Sequence, residues 1–384
     1  MEIGLIGKPS SGKSSFFKAA TTIDVPIDAR PFTTIKPNVG VGYVVVDCVD
    51  KDFAVRCTPM HGKCLNGKRY IPVKIWDIAG IVPKAHEGRG LGLKFLDDIR
   101  QASVLIHIVD ASGKTDEEGN PTEFHDPVKD VEFVEQEIDC WFMDIVSKAI
   151  ERYKTKMRTE KIDVADLLFQ QLSGLGVKKE SIEQALSIAG IESIEQFSKT
   201  LRSISKPIII AANKIDIEGA EENYIRLKKA FPKHDVVPVS AASEIALKAA
   251  EEKGFIDYLE NDFVIKKEMD EKKLSGLKTI KERVLAKYGS TGVQECLNTA
   301  VFKKLQKIVV YPVADASKLA DSKGNILPDA YIVDKGTKLK EFAYMIHTDI
   351  GESFIGGIDA RSKRKLSAEY ELKDGDVVEI LFKR

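Results

Sequence analysis

Eight consecutive residues, Gly7-Lys8-Pro9-Ser10-Ser11-Gly12-Lys13-Ser14, have the types and spacing needed to hold a polyphosphate. The pattern G-x-x-x-x-G-K-[ST] forms a loop whose backbone N–H groups wrap phosphate oxygens. Its lysine, here Lys13, reaches the β- and γ-phosphates, and its hydroxyl, here Ser14, binds Mg²⁺. Ser15 follows in the same nucleotide-contacting run. The flanks suit this chemistry. Glu2-Ile3-Gly4-Leu5-Ile6 reads as a short buried strand, and Ser14 to Ala20 reads as a helix start. The helix dipole and its free N–H groups then face the phosphates. A glycine-rich turn without a ligand is the plainer reading, and this strand–loop–helix setting argues against it.

Two further strings carry chemistry. Asp77-Ile78-Ala79-Gly80 ends the apolar strand Tyr70 to Trp76. D-x-x-G also occurs at Asp110, Asp116, Asp216 and Asp321, so the pattern alone says little. Asp77 both follows a strong strand and precedes the glycine-rich Gly88-Arg89-Gly90-Leu91-Gly92. It is placed to hold the Mg²⁺ shell, through water, and the Gly80 N–H to sense the γ-phosphate. A strand-capping carboxylate is the alternative. Asn213-Lys214-Ile215-Asp216 ends another strand, Pro207 to Ala212. The Asp216 carboxylate can accept from guanine N1–H and N2–H₂, a donor pair adenine lacks. Ser240-Ala241-Ala242, after the short strand Asp235 to Val239, would meet guanine O6, or else simply begin a helix. Between the first helix and Val39, three prolines make Asp24 to Asn38 an irregular loop. In a P-loop GTPase the loop at this position carries a threonine for Mg²⁺ and the γ-phosphate. Thr33 and Thr34 are both candidates, and the sequence does not separate them.

The elements that must position these residues come from an ordinary globular composition. The chain has 384 residues, 43% apolar and 30% charged, with net charge −1. That length allows two or three domains. The charge excludes a global field attracting nucleic acid or anionic membrane, so such contacts must rest on local patches. The first residue all but begins a strand, so no signal peptide is expected, and the apolar run Pro207 to Ala212 is too short to span a bilayer. A cytoplasmic protein with no membrane partner is expected. Five cysteines are too few and irregular for a disulfide framework. Cys57, His61 and Cys64 lie close in sequence, with Cys48 upstream. Their spacing matches no Cys-x-x-Cys pair, and a reduced loop is the leading reading, with zinc the alternative. Residues 126–205 show apolar positions at helical spacing (Val131, Val134, Ile138, Phe142, Ile145) and little strand character. They read as a helical insertion.

Taken together, these strings resemble the translation-factor-like GTPases, within them the Obg branch, and specifically the YchF family. Pro31 to Asn38 looks like that branch's switch I, and Asp77 to Gly92 like the YchF switch II. Asp126-Pro127-Val128-Lys129-Asp130-Val131-Glu132 resembles the start of its helical insertion. Gly336 to Gly351 and Tyr370 to Leu381 resemble the TGS domain, a small β-grasp module. Two features depart from the family pattern. This chain keeps N-K-x-D, which many YchF members that prefer ATP have lost. Ser10 stands where Obg relatives usually carry the asparagine linked to potassium-assisted hydrolysis.

The resemblance implies an α/β fold divided into four regions. Residues 1–125 and 206–260 form a P-loop GTPase domain, 126–205 the insertion, 261–307 a helical connector and 308–384 the TGS domain. It implies a GTP-hydrolysing switch using GTP and Mg²⁺ on or near the ribosome or RNA, with the TGS domain meeting that partner. An ATPase of the same architecture and a nucleotide-gated binder with negligible turnover are the alternatives. Lys13, Thr34, Gly80 and His86 are the catalytic candidates; for His86, a solvent-facing loop histidine is the other reading. Ile81 stands where Ras-like GTPases carry a water-orienting glutamine, so slow intrinsic hydrolysis is expected. Basic stretches at Arg361 to Lys365 and Lys303 to Lys307 are candidate RNA contacts, or else solvated loops.

Overall fold

The computed structural model describes residues 1–21, 39–85, 98–159, 163–259 and 261–383. It forms two compact units. Of the described residues, the first contains 1–21, 39–40 and those between 74 and 300; the second joins 41–73 to 301–383. This division differs from the expected four regions. The stretch after switch I belongs with the C-terminal residues, and most of the expected connector belongs with the first unit.

The larger sheet supplies the parallel strands of the first unit, and those of its residues that lie between 41 and 73 fall in the second unit. Strand β1 (Glu2–Ile6) leads into helix α1 (Lys13–Thr21), and β2 (Val39–Asp47), β3 (Lys63–Leu65) and β4 (Lys68–Asp77) follow. β5 (Val104–Asp110) is buried at every position. The sheet order is β2-β4-β1-β5-β6-β7, with β3 paired to β4, where β6 is Ile208–Asn213 and β7 is Asp235–Pro238. β1 runs parallel to both β4 and β5, β5 to β6, and β6 to β7. Continuous apolar strands such as Ile208-Ile209-Ile210 suit a sheet covered on both faces. The register places Leu5 beside Asp77 and Asp110 beside Asn213. Parallel sheets present ligands at the carboxyl ends of their strands. Asp77, Asp110 and Asn213 all lie on that edge.

Among the described residues, the α-helices between β5 and β6 are α2 (Pro127–Thr159), α3 (Val164–Leu172), α4 (Lys179–Ala189) and α5 (Ile194–Ser205). Side-chain caps mark the starts of two of them, with Asp163 accepting from the Ala165 N–H at 2.9 Å and Ser193 from the Gln196 N–H at 3.3 Å. Val134, Ile138, Phe142 and Val146 form one stripe of α2, all fully buried against Leu168, Ile182, Phe197 and Leu201. Each such side chain contributes about 1.5–3 kcal/mol by leaving water. α6 (Ala220–Ala230), α7 (Ala241–Glu252), the hairpin β8 (Ile256–Leu259) with β9 (Asp262–Ile265), α8 (Glu271–Ile280) and α9 (Val293–Asn298) complete this unit.

The second unit carries a five-stranded sheet of order β11-β10-β14-β12-β13. Its strands are β10 (Lys307–Val313), β11 (Tyr331–Asp334), β12 (Phe354–Asp359), β13 (Lys365–Leu366) and β14 (Asp376–Phe382), with helices α10 (Leu339–Ile346) and α11 (Thr348–Glu352). β10 and β14 are parallel neighbours, and the other pairs are antiparallel. Leu339 and Phe342 of α10 pack with Val310, Val333 and Val378 of the sheet. One helix over such a sheet is the β-grasp arrangement expected. The segment between β2 and β4 is bound to the same unit. Thr58 N–H donates to Ile326 O at 2.8 Å and Met60 N–H to Pro328 O at 2.9 Å. Fully buried Arg69 donates to Leu327 O at 3.0 Å and Pro328 O at 2.7 Å. These bonds are why residues 41–73 group with the C-terminal end of the chain. Among the described residues, no helix is long and apolar enough to cross a membrane.

Candidate functional site

The phosphate loop joins β1 to α1 on the carboxyl edge of the sheet. Gly12 has φ +91°, and a side chain there would collide with the Asn213 amide. Glycine is therefore required by backbone angle and by space. The loop and the N-K-x-D string are locked together. Asn213 Nδ2 donates to Ser11 O at 3.0 Å, and Lys214 Nζ donates to Ser10 O at 2.9 Å. Lys214 also meets Asp110 Oδ2 at 2.7 Å. Asp216 Oδ1 accepts from Ser240 Oγ at 2.6 Å, and Asn213 Oδ1 accepts from the Ala241 N–H at 3.2 Å. Strings about 200 residues apart thus form one hydrogen-bonded scaffold that joins the phosphate loop to the N-K-x-D string. Ala241's N–H is engaged by Asn213, and Ala242 follows it in the first turn of α7.

Ser14 and Asp77 come together on this edge of the sheet. Ser14 Oγ donates to Asp77 Oδ2 at 3.0 Å. Asp77 Oδ1 is buried without a hydrogen-bond partner among the described residues, with Lys13 Nζ 3.9 Å away. A hydroxyl beside a carboxylate with an unsatisfied oxygen is a hard-oxygen donor set of the kind Mg²⁺ takes, and the residues fit that ion. Burial pushes the Lys13 ammonium below its ordinary value, and Asp77 partly restores it. A phosphate would favour the charged form further. Gly80 lies beside Pro9 of the loop. Ile81 is fully buried, and its N–H donates to Gly7 O at 3.0 Å. Thr33, Thr34 and His86 lie outside the described residues, as does the glycine-rich Gly88 to Gly92.

Lys8 occupies a different place from its neighbours in the loop. Its side chain is 1% exposed, donates to Thr115 O at 2.6 Å and pairs with Asp130 of α2 at 2.8 Å. It is an anchor for the loop, and only its backbone remains to meet a nucleotide. Asp130 also meets His125 Nε2 at 2.7 Å. Ser11 is fully buried, and no partner accompanies its Oγ among the described residues.

Three groups in this site escaped sequence reasoning. Asp110 accepts from Ser112 N–H at 3.0 Å and Thr115 Oγ1 at 2.7 Å besides Lys214. Burial raises its pKa, but Lys214, Ser112 and Thr115 outweigh that and hold it below the usual carboxylate range. The available signal was its place at the end of a fully buried, mostly apolar strand. Glu137 of α2 accepts from the Lys84 N–H at 2.6 Å, tying switch II to the insertion. Gly119, at φ +87°, lets its loop approach Pro9, where a Cβ would stand 2.8 Å from Pro9 O. Neither of these last two had a sequence signal, because each partner is distant in the chain.

Known proteins agree with this geometry. Residues 2–136 match the model of a 50S ribosome-binding GTPase. Residues 211–315 match an Obg-like GTPase YGR210-like, G4 motif-containing domain, and 323–382 the TGS domain. A GTP-binding protein of Methanocaldococcus jannaschii is 48% identical, over 99% of this chain and 98% of its own. The ribosome-binding ATPase YchF of Bacillus subtilis is 29% identical, over 99% of this chain and 98% of its own. Among solved structures, the GTP-binding protein from Pyrococcus horikoshii OT3 superposes with TM-score 0.80 at 38% identity, covering 100% of both chains. The Schizosaccharomyces pombe YchF GTPase, at 18% identity with TM-score 0.60 over 99% of this chain and 97% of its own, shares the fold. This chain belongs to the YchF family of Obg-related P-loop GTPases, with an intact N-K-x-D string.

Proposed function

We propose that this protein is a Mg²⁺-dependent switch that hydrolyses GTP in preference to ATP and engages a ribosomal or RNA partner. The observation that carries the base preference is the bonding of Asn213 and Lys214 to the backbone of Ser11 and Ser10. It supports a fixed offset of Asp216 from the phosphate loop, with one carboxylate oxygen held by Ser240. In this reading the loop's N–H groups hold the β-phosphate, Lys13 spans the β- and γ-phosphates, and Ser14 and Asp77 hold the ion shell. Bound Mg²⁺ would neutralise charge on the β- and γ-oxygens. Thr34, or Thr33, would close the ion shell from switch I. The Gly80 N–H would report the γ-phosphate.

Turnover should be slow. Ile81 has no polar side-chain atom, and its N–H is spent on Gly7. Unassisted rates on the order of 10⁻⁴ to 10⁻² per second are expected. His86 is the residue proposed to assist when the partner is engaged; equal rates for His86→Ala and parent, with and without ribosomes, would remove it from that role. Multiple-turnover phosphate release with GTP and with ATP tests the main reading. Faster turnover of ATP at equal concentration would favour the activity named for the Bacillus subtilis relative, and no turnover of either would favour a binding module.

The TGS-like module is the proposed contact to ribosome or RNA, through salt-sensitive phosphate contacts. Within the basic run, Arg361 is engaged with Asp52 at 2.6 Å and Gly375 O at 2.7 Å, and Lys363 with Ala316 O at 2.8 Å. Arg364 and Lys365 are exposed and are the better test. Replacing both with alanine should weaken co-sedimentation with ribosomal subunits and leave nucleotide affinity unchanged. Unaltered co-sedimentation would return the run to a solvated loop.

A further inference from the structure

The second unit gathers three of the five cysteines around a carboxylate. Cys48, Cys57 and Asp50 are buried and Cys64 is partly so. One ligand atom from each lies within 4.8 Å of all the others. Cys48 Sγ is 3.7 Å from Cys57 Sγ, and Cys64 Sγ is 3.8 Å from Asp50 Oδ2. A disulfide would need about 2.05 Å. By contrast, sulfurs at two corners of a tetrahedron with a metal–sulfur bond of about 2.3 Å stand about 3.8 Å apart. The observed sulfur separation is that of a tetrahedral edge.

The cluster is framed by backbone from four positions. Cys48 follows β2, and its N–H donates to Gly67 O at 2.8 Å. Asp50 lies in the short 3₁₀ turn Val49–Lys51, and its carbonyl accepts from the Val55 N–H at 3.1 Å. Cys57 comes from the following loop, and Cys64 from β3, in register with Arg69 of β4. Asp50 Oδ1 is buried with no hydrogen-bond partner among the described residues. A buried orphan carboxylate oxygen costs free energy unless something positive meets it. Arg69 does not satisfy that oxygen: its Nη1 and Nη2 donate to Leu327 O and Pro328 O, and its Nε has no hydrogen-bond partner among the described residues. His61, which the sequence spacing grouped with the cysteines, is not a member. Its Nδ1 lies 3.0 Å from Asp329 Oδ1, on the exposed side of the segment.

We propose that Cys48, Asp50, Cys57 and Cys64 form a structural site for a soft divalent cation, Zn²⁺, bound as three thiolates and one carboxylate. Four protein ligands leave no open position, which marks a structural role and not a catalytic one. Binding releases the thiol protons, and the buried Arg69 offsets part of the excess negative charge. The metal would staple the segment between β2 and β4, which carries Thr58, Met60 and Arg69 against residues 326–328. It would thereby hold that segment to the β-grasp sheet within the second unit.

The test uses the full chain, purified under reducing conditions without chelator. Elemental analysis should find one zinc per chain. Replacement by Co²⁺ should give the intense visible bands of tetrahedral cobalt and a thiolate-to-cobalt charge-transfer band. Cys57→Ser with Cys64→Ser should lose both, while Cys140→Ser keeps them. Asp50→Asn should keep the thiolate band and lower cobalt affinity by at least about 10-fold. Should the double variant fail to fold, alkylation of the unmodified protein gives the same answer. Zinc should protect Cys48, Cys57 and Cys64 and leave Cys140 unprotected. Failure of the reduced protein to take up either ion, a native Cys48–Cys57 disulfide, or metal retained by a folded double variant would each overturn the site.

Discussion

The carboxyl edge of the parallel sheet and the thiol-bearing second unit place their polar groups by opposite rules. On the sheet edge, Asn213, Lys214 and Ser14 bond to groups of two other short strings, and each string is contiguous in sequence. A polyphosphate and a purine must be met by successive backbone groups and by side chains at fixed offsets. The chemistry is therefore written in strings such as Gly7 to Ser14 and Asn213 to Asp216. In the second unit, the cluster of Cys48, Asp50, Cys57 and Cys64 is drawn from a turn, a loop and a strand. There only the fold brings the ligand atoms together, and the spacing is irregular. The first rule predicts function lost by single changes with the fold intact. The second predicts function that fails together with local structure.

The largest effect expected is at Lys13. Lys13→Ala should reduce phosphate release to background with either nucleotide, because the group proposed to span the transferring phosphate is gone. Circular dichroism and the unfolding of both units should be unchanged. Turnover at the parent rate would remove Lys13 from the chemistry.

Next in size are two core changes that separate the units. Phe142 of the insertion and Phe342 of the β-grasp module are both fully buried. Each substitution to alanine should cost about 3–5 kcal/mol in denaturant unfolding. Phe342→Ala should leave GTP affinity at the parent value, whereas Phe142→Ala loosens the helix bearing Asp130 and Glu137, the partners of Lys8 and Lys84. Equal loss of GTP affinity in both variants would break the distinction between the regions.

How much was legible follows from the same contrast. The strands Val104–Asp110 and Ile208–Asn213, the buried stripe of α2 and the three motif strings were readable because apolar period and local spacing define them. The opposite fates of Lys8 and Lys13 were not. Both are loop lysines, and only the arrival of Asp130 from α2 turns Lys8 inward. The grouping of residues 41–73 with the C-terminal unit was equally hidden, since it rests on Arg69 reaching carbonyls 258 and 259 residues away. The basic run at Arg361 to Lys365 read as one patch, yet two of its members are spent within the unit.

A smaller effect is expected at Asp216, the carboxylate proposed to read the base. Asp216→Asn should narrow the preference for guanine over adenine nucleotides by about 1–3 kcal/mol, the scale of a lost charged hydrogen-bond pair. The Ser240 contact to this side chain survives the change in part, so folding should be little altered. Titration calorimetry with GDP and ADP measures it. Equal or tighter binding of adenine nucleotide by the parent would sink the guanine assignment.

The smallest effect lies in the sheet itself, at His107. It sits on β5 in register with Ile6 and Ile210, is fully buried, and has neither ring nitrogen hydrogen-bonded among the described residues. Burial pushes its pKa down to about 4; Glu135 opposes this, and His234 and Lys8 add to it. The folded value lies below the unfolded one of about 6.5, so the unfolded chain binds the proton more readily. Stability from this group must then fall as pH drops from about 6.5 towards 4, and rise as pH increases through that window. Between pH 7 and 5.5 the loss should be about 1 kcal/mol. Leucine fills similar space and leaves no orphaned polar atom, so His107→Leu should fold at pH 7 and lose that portion of the acid sensitivity. The comparison is the difference in urea midpoints between parent and variant at the two pH values, which cancels titration elsewhere in the sheet and helices. An unchanged difference would mean that His107 finds a proton-holding partner in solution and is not a neutral core residue.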